Sequence, residues 1–439
     1  MIELMKKING TPCACGKIHR FECDIYSGHG AVNDLRSALS KYETKKAFVF
    51  ADKNTYAVGG RSVEAILGES GIPYSLFVFE ESPKPDERAV GSVVMHCPKD
   101  ADTVIAIGSG VLNDIGKILT ASSGKTYMTV ATASSMDGYV SKSSSMCLDG
   151  LKVTINSKSP DVIIGDTDLL KTAPLKMTVS GIGDMLAKYV SICEWRISHL
   201  ITGEYYCPVI ADMTRLALKS CLDAADRILD GDTDAVGAVF DGLLIGSAAM
   251  NYAGISRPAS GVEHYISHVI DMRYEEFGTP CDFHGIQCAI GTYVAVKLYE
   301  KLTEISPDYE KGVRYAEGFD VKAWNEKLRA LLGKGAESMI KLEEKERKYD
   351  TAKHASRLRL IADEWEAILA IIREELPSVE YLDKLYEKLG LPKSPTEIGT
   401  DKELLPVIFC ASKDIRDKYV LSRLLFDLGV LDEFAQTIE

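Results

Sequence analysis

The stretch Ile105–Lys117, IAIGSGVLNDIGK, decides how this chain is read. An apolar run ends in Gly108-Ser109-Gly110, and an amphipathic run starting Val111-Leu112-Asn113-Asp114 follows. A strand that turns into a helix this way leaves backbone N–H groups at the helix start facing an anion, and glycine lets the anion come close. A plain tight turn would have the same composition. The third glycine of the dinucleotide fingerprint G-x-G-x-x-G is replaced by Asn113, and the motif follows the third apolar run rather than the first.

Outward from this stretch, short apolar runs recur at Lys46–Ala51, Ser75–Glu80, Tyr127–Ala131 and Asp161–Gly165. Helical patterns such as Gly60–Ser70 and Val111–Ser122 lie between them. Strands alternating with helices imply a parallel sheet covered on both faces. Ser145–Asn156 reads as a β-hairpin around Asp149-Gly150. After Pro174 helical periodicity takes over, over Val179–Ser198, Val209–Leu229, Asp234–Met250, Gly285–Leu302, Val321–Leu332, Ser338–Leu376 and Asp414–Leu428. The expected fold is an α/β nucleotide-binding domain with a parallel sheet over 1–170, then an all-α domain over 171–439. Lys341–Arg357, dense in lysine and glutamate, reads as solvated helix faces.

The net charge of −13 argues against nucleic acid as a partner. The 11 cysteines are odd in number and scattered, which fits a reducing cytoplasm better than a disulfide framework. MIELMKKINGTPCACG has no apolar signal-peptide core, and no run is apolar for about 20 residues, so no membrane span is expected.

Several segments carry residues suited to chemistry. Asp52 follows the run KAFVFA, where a carboxylate can accept from an adenosine ribose or cap a helix. Thr132, Ala133, Ser134, Ser135, Asp137 and Ser141 fall in ATASSMDGYVSKSSS, a pocket lining or a solvated loop. Asp184 in GIGDMLAKY reads by itself as a helix-opening cap. Three of the eight histidines cluster at His264, His268 and His284, in SRPASGVEHYISH and DFHGIQCAIGT. His264 and His268 share a helix face. Two imidazoles and an upstream carboxylate fit a catalytic metal site that keeps a position open for substrate. Cys13 and Cys15 with His19 offer half of a zinc site; the sequence shows no second half, so they read as a structural loop. Asp230, Asp232 and Asp234 fail as a calcium loop, since Ala235 and Asp241 stand where glycine and glutamate are required.

In order and spacing these segments resemble the superfamily of iron-containing alcohol dehydrogenases, glycerol dehydrogenases and dehydroquinate synthases. TASSMDGYVS, GIGDMLAKY, SRPASGVEHYISH, KDIRDKYVLSRLLFDLGVLD and the N-terminal CACGKIH are most similar to bacterial glycerol-1-phosphate dehydrogenases. Ala131 departs from the proline common at its position. The resemblance implies metal ligands Asp184, His264 and His284, with His268 beside the substrate and Asp137 and Asp184 facing its hydroxyls. It implies Asp52 at the ribose, Gly108 and Gly110 to Asp114 at the cofactor diphosphate, and Thr132 to Ser135 with Ser141 at the nicotinamide. NAD or NADP and one divalent ion (zinc, nickel or iron) are the cofactors it implies. The substrate would be a small phosphorylated polyol, with Lys188 and Arg257 as candidate phosphate donors, and a homodimer is the default assembly. A plain polyol dehydrogenase and a dehydroquinate-synthase-like lyase are the other readings; the lyases use glutamate where Asp184 stands.

Overall fold

A computed structural model describes residue 5 and residues 7–148 and 151–439, the side chain of Leu151 excepted. The expected parallel sheet is present, with six strands: β1 Asp24–Gly28, β2 Ala47–Asp52, β3 Tyr74–Phe79, β4 Thr103–Gly108, β5 Thr126–Ala131 and, beyond the hairpin, β8 Val162–Asp166. Their order is β1-β8-β5-β4-β2-β3, all parallel. The hairpin strands are β6 Ser143–Leu148 and β7 Leu151–Asn156; its turn, Asp149-Gly150, lies outside the described residues.

Alternation along the central strands builds two cores. Ala47, Val49 and Ala51 pack with helices α1 (Leu35–Lys41) and α2 (Arg61–Glu69) on one face. Phe48 and Phe50 pack with α3 (Glu87–His96) and α4 (Gly110–Ser123) on the other. The chain leaves β2 through α2 toward β3 and leaves β4 through α4 toward β5, on opposite faces. The switch point therefore lies between β2 and β4, where open α/β sheets bind ligands at the carboxyl ends of strands. The sequence reading lacked β1. DIYSG has no apolar run, because it is an edge strand half-buried throughout that, among the described residues, pairs with β8 alone. With β1 present, Ile105–Gly108 ends the fourth strand, not the third.

The long helices follow: α5 Leu175–Thr202, α6 Pro208–Ile228, α7 Thr233–Ala253, α8 Val262–Phe277, α9 His284–Leu302, α10 Tyr309–Glu317 and α11 Val321–Leu332. The expected helix Ser338–Leu376 is three: α12 Ala336–Glu346, α13 Thr351–Asp363 and α14 Trp365–Glu375. Arg347 turns left-handed at φ 53°, and Asp350 caps the next helix by accepting from Lys353 N. Nor are these faces all solvated, since Glu343 and His354 are buried. Asp414–Leu428 is not one helix either; helical geometry begins at α15, Leu421–Asp427, and Asp414 is buried among cations.

The division of the chain also differs from the expected cut at 170. One compact body comprises the chain up to Met185 together with Asp212–Ile255, and the other comprises Leu186–Ala211 with Ser256–Glu439. Two of the three cuts fall inside α5 and α6, and the third follows α7. Helix α7 belongs to the first body because it packs on its strands: Ser27 Oγ donates to Asp241 at 2.6 Å, and Phe240 fills the space where a Cβ on Gly165 would stand. Among the described residues α7 alone is long and apolar enough to cross a membrane, and 72% of its apolar window is buried inside the protein, which accounts for that composition.

Candidate active site

Three adjacent strands of the first body end together. Ala51 on β2 lies opposite Ile107 on β4, and Gly108 lies opposite Ala131 on β5. Asp52, Ser109 and Thr132 are therefore neighbours at the carboxyl edge of the switch point. Helix α4 begins at Gly110, so the N–H groups of Gly110, Val111 and Leu112 are not used by the helix itself. The Leu112 side chain is buried in the core. Asn113, at the missing third glycine, is also structural: it donates to Tyr139 O and accepts from Tyr127. Close approach of helix to sheet, the usual task of that glycine, is provided by Gly116, where a Cβ would collide with the Tyr127 ring.

The serine-rich segment is a buried, cross-linked loop, not a solvated one. Ser135 Oγ meets Ser109 Oγ at 2.7 Å, and Tyr139 donates to Ala133 O at 2.6 Å. Ser134 donates to Val236 O. The wholly buried Lys117 pairs with Asp114 at 2.7 Å and donates to Gly138 O, Ser141 Oγ and Ser143 O, tying α4 to the loop. Asp52 caps the short helix after β2: its Oδ1 accepts from Thr55 N at 2.8 Å and its Oδ2 from Ser82 at 2.9 Å. Asp184 does not open a helix. It sits well inside α5, fully buried, and accepts from Asp137 N at 2.9 Å.

In the second body the histidines converge. His264 lies in the first turn of α8 and His284 opens α9. Ring centroids are 5.1 Å apart for His264–His284, 6.3 Å for His264–His268 and 6.1 Å for His268–His284. His264, His284 and Cys288 each offer a ligand atom, all within 4.8 Å of one another. The Glu263 carboxylate accepts from Gly261 N at 2.6 Å and from His264 Nδ1 at 2.9 Å. That bond fixes the tautomer and leaves His264 Nε2 its lone pair for a metal. Borderline nitrogen and sulfur donors suit a divalent transition metal. Deeper in, Glu194 accepts from Val262 N and Leu421 N, and burial raises both its carboxyl and that of Glu263.

The geometry corrects the expectation for Arg257. It is wholly buried, and its guanidinium is committed to Glu204 (Nε to Oε2, 2.8 Å), Tyr419 O (2.9 Å) and Ser198 (3.0 Å). Lys188 is buried and donates to Ala259 O at 3.3 Å. Lys418 donates to the next carbonyl of the same loop, Ser260 O, at 3.0 Å.

Residues 26–174 match the family described as iron-containing alcohol dehydrogenase. The chain is 32% identical over 306 residues to the glycerol-1-phosphate dehydrogenase (NAD(P)+) of Halalkalibacterium halodurans, covering 68% of this chain and 76% of that one. It is 30% identical to the protein of the same name from Bacillus licheniformis, covering 98% and 96%. The chain belongs to the glycerol-1-phosphate dehydrogenase family. The fold is similar to that of glycerol dehydrogenase from Schizosaccharomyces pombe, with a TM-score of 0.63 at 18% identity over 94% of this chain and 90% of that one.

Three residues at this family member's site escaped the sequence reading. Cys288 stands one helical turn after His284, a spacing visible in HGIQC. Glu263 precedes His264 directly and would have been found by asking what holds the imidazole. Lys418 lies in KDIRDKYVLSRLLFDLGVLD, a stretch that carries the resemblance, but nothing in that stretch singles out this lysine; the tertiary fold brings it to Ser260.

Proposed function

We propose that the protein is a metal-dependent NAD(P) oxidoreductase that interconverts sn-glycerol 1-phosphate and dihydroxyacetone phosphate. The observation that carries this reading is the convergence of His264 and His284, with Glu263 orienting the first, in a chain of this family. Asp184, His264 and His284 would hold one divalent ion, zinc or nickel before iron. Asp52, Gly108 at the end of β4, Gly110 to Asp114 at the start of α4, and Thr132 to Ser135 with Ser141 would hold NAD or NADP. The protein would act in the cytoplasm, in keeping with its cysteines standing as thiols, and as a homodimer.

When bound, the metal supplies Lewis acidity toward the C2 oxygen, and the dinucleotide accepts or gives the C2 hydride. The chain's own groups do the rest. His268 lies beside His264 and His284, is less buried than His264, and would pass the hydroxyl proton to solvent. Asp137 and Asp184 orient the substrate hydroxyls, with the loop held in place by Lys117. Lys188 and Lys418, which donate to the adjacent carbonyls of Ala259 and Ser260, are the phosphate donors this reading favours, because Arg257 is saturated by Glu204.

The test is turnover of NADH with dihydroxyacetone phosphate against unphosphorylated dihydroxyacetone, with a chiral coupled assay of the product. Preference for the phosphorylated ketone and formation of the 1-phosphate are expected. Preference for dihydroxyacetone, or formation of the 3-phosphate, would move the site to a polyol dehydrogenase of the same fold.

A further inference from the structure

The N-terminal loop, set aside in the sequence as half a zinc site, is folded as a ligand cradle within the first body. Pro12 and Ile18 form an antiparallel bridge, Cys13 N donates to Lys17 O, and Gly16 N donates to Cys13 O. Gly16 takes φ 83°, which closes the turn. The result gathers Cys13, Cys15 and His19, whose donor atoms lie within 4.8 Å of one another.

His19 carries the second, independent observation. The residue is 1% exposed, and Nδ1 lies 2.9 Å from Tyr252 O at the end of α7. A carbonyl only accepts, so Nδ1 bears the proton and Nε2 keeps its lone pair. Nε2 is 3.4 Å from Cys15 Sγ. With Zn–S of about 2.3 Å and Zn–N of about 2.0 Å at a tetrahedral angle, the N···S edge of a zinc site is about 3.5 Å. The backbone carbonyl behind the imidazole is the outer partner that zinc-ligating histidines usually have.

We propose that Cys13, Cys15 and His19 hold a structural zinc ion, separate from the histidine site of the second body. Both thiols give up their protons to solvent on binding, and the two thiolates neutralise the dication. One more donor, from protein or water, completes four-coordination. Two sulfurs and an imidazole select zinc over hard cations. The ion clamps the N-terminal loop onto α7, where Tyr252 already meets His19 and Phe21 edge-on and donates to Met5 O.

The experiment uses the full chain in a Cys288→Ser background, which removes the thiol next to His284. Metal per chain is counted by mass spectrometry, and the cobalt-substituted protein is examined for the near-ultraviolet thiolate-to-cobalt band. The double variant Cys13→Ser/Cys15→Ser should carry one metal fewer per chain and lose the band; His19→Ala should bind zinc more weakly, and His19→Cys should restore binding. X-ray absorption on the background protein, which keeps Cys13, Cys15 and His19 intact, should show Zn–S at about 2.3 Å. Unchanged stoichiometry and spectrum in the double variant, or no Zn–S distance, overturns the proposal.

Discussion

Nδ1 of His264 lies 2.9 Å from Oε1 of Glu263, and the same carboxylate oxygen receives Gly261 N. One buried acid thus fixes both the start of α8 and the tautomer of the histidine in its first turn. Outer partners of this kind typically contribute a factor of about 10–100 in metal affinity. Glu263→Ala should weaken divalent-metal binding by about that factor, while Glu263→Gln, which still accepts through its amide oxygen, should lose less. His264→Ala or His284→Ala should remove most metal, and His268→Ala should keep metal and lose rate. Metal content and chelator competition on the four sites check this. Loss of metal from His268→Ala alone would reverse the roles assigned to the histidines.

Asp52 is both a helix cap and the proposed ribose acceptor, and two substitutions separate the roles. Serine is also a good N-cap, whereas alanine gives up about 1 kcal/mol of capping. Asp52→Ser should therefore keep stability, and Asp52→Ala should lose about that amount in a denaturation curve. Both should weaken NAD more than NADP, because an acceptor for the ribose hydroxyls goes while repulsion of a 2′-phosphate is relieved. Equal effects on the two cofactors would take this carboxylate away from the ribose.

The sheet was legible because its central strands are buried on both faces and so read as apolar runs such as AFVFA and TVIAI. β1 was not, since an edge strand need bury only part of itself, and DIYSG is half polar. The histidine cluster was legible from i, i+4 spacing and the scarcity of histidine. The Cys13, Cys15 and His19 cradle was half legible: its donors are local, but the His19–Tyr252 bond spans most of the first body and has no sequence signature. Helix breaks at Arg347 and before Leu421 were hidden for the same reason. Beside both breaks lies a buried charge cluster that gathers Lys348, Lys413, Asp414 and Arg423 from separate segments.

That cluster yields a stability prediction. Asp414 is wholly buried and receives Lys413 at 2.7 Å, Arg423 at 2.6 Å, Tyr349 at 2.6 Å and Trp324 Nε1 at 3.0 Å. Burial by itself would raise its carboxyl, but Lys413, Arg423 and Lys348 outweigh burial and hold it below the usual range. Asp414→Asn leaves buried cations uncompensated and should cost roughly 3–5 kcal/mol. A carboxyl depressed in the fold contributes fully above its unfolded pKa and loses that contribution as pH falls through its folded one. The difference between wild type and Asp414→Asn should therefore hold from pH 7 to 5 and shrink only below about pH 4. A difference under about 1 kcal/mol in urea unfolding at neutral pH would show the cluster to be dispensable.

The last prediction concerns the substrate phosphate. Lys418 is held against Ser260 O, and burial with the nearby Arg257 pushes its ammonium down to about 7, against the opposing pull of Glu263, Glu204 and Glu194. A phosphate dianion placed there would favour the protonated form. If Lys418 and Lys188 hold it, the Michaelis constant for dihydroxyacetone phosphate should rise as pH climbs above about 7, where free Lys418 loses its proton. Lys418→Arg, whose guanidinium stays charged, should flatten that rise. Lys418→Ala and Lys188→Ala should each raise the constant by about one to two decades, the worth of a charged hydrogen bond of roughly 1.5–3 kcal/mol. Weak turnover of unphosphorylated dihydroxyacetone should barely change in either. Arg257→Ala should behave differently, because its loss strands Glu204 and frees Tyr419 O: it should lower stability in a denaturation curve without a selective effect on phosphorylated substrate. Should Arg257→Ala instead be stable and selectively poor toward the phosphate, the donor would be Arg257, and its pairing with Glu204 would have to open when substrate binds.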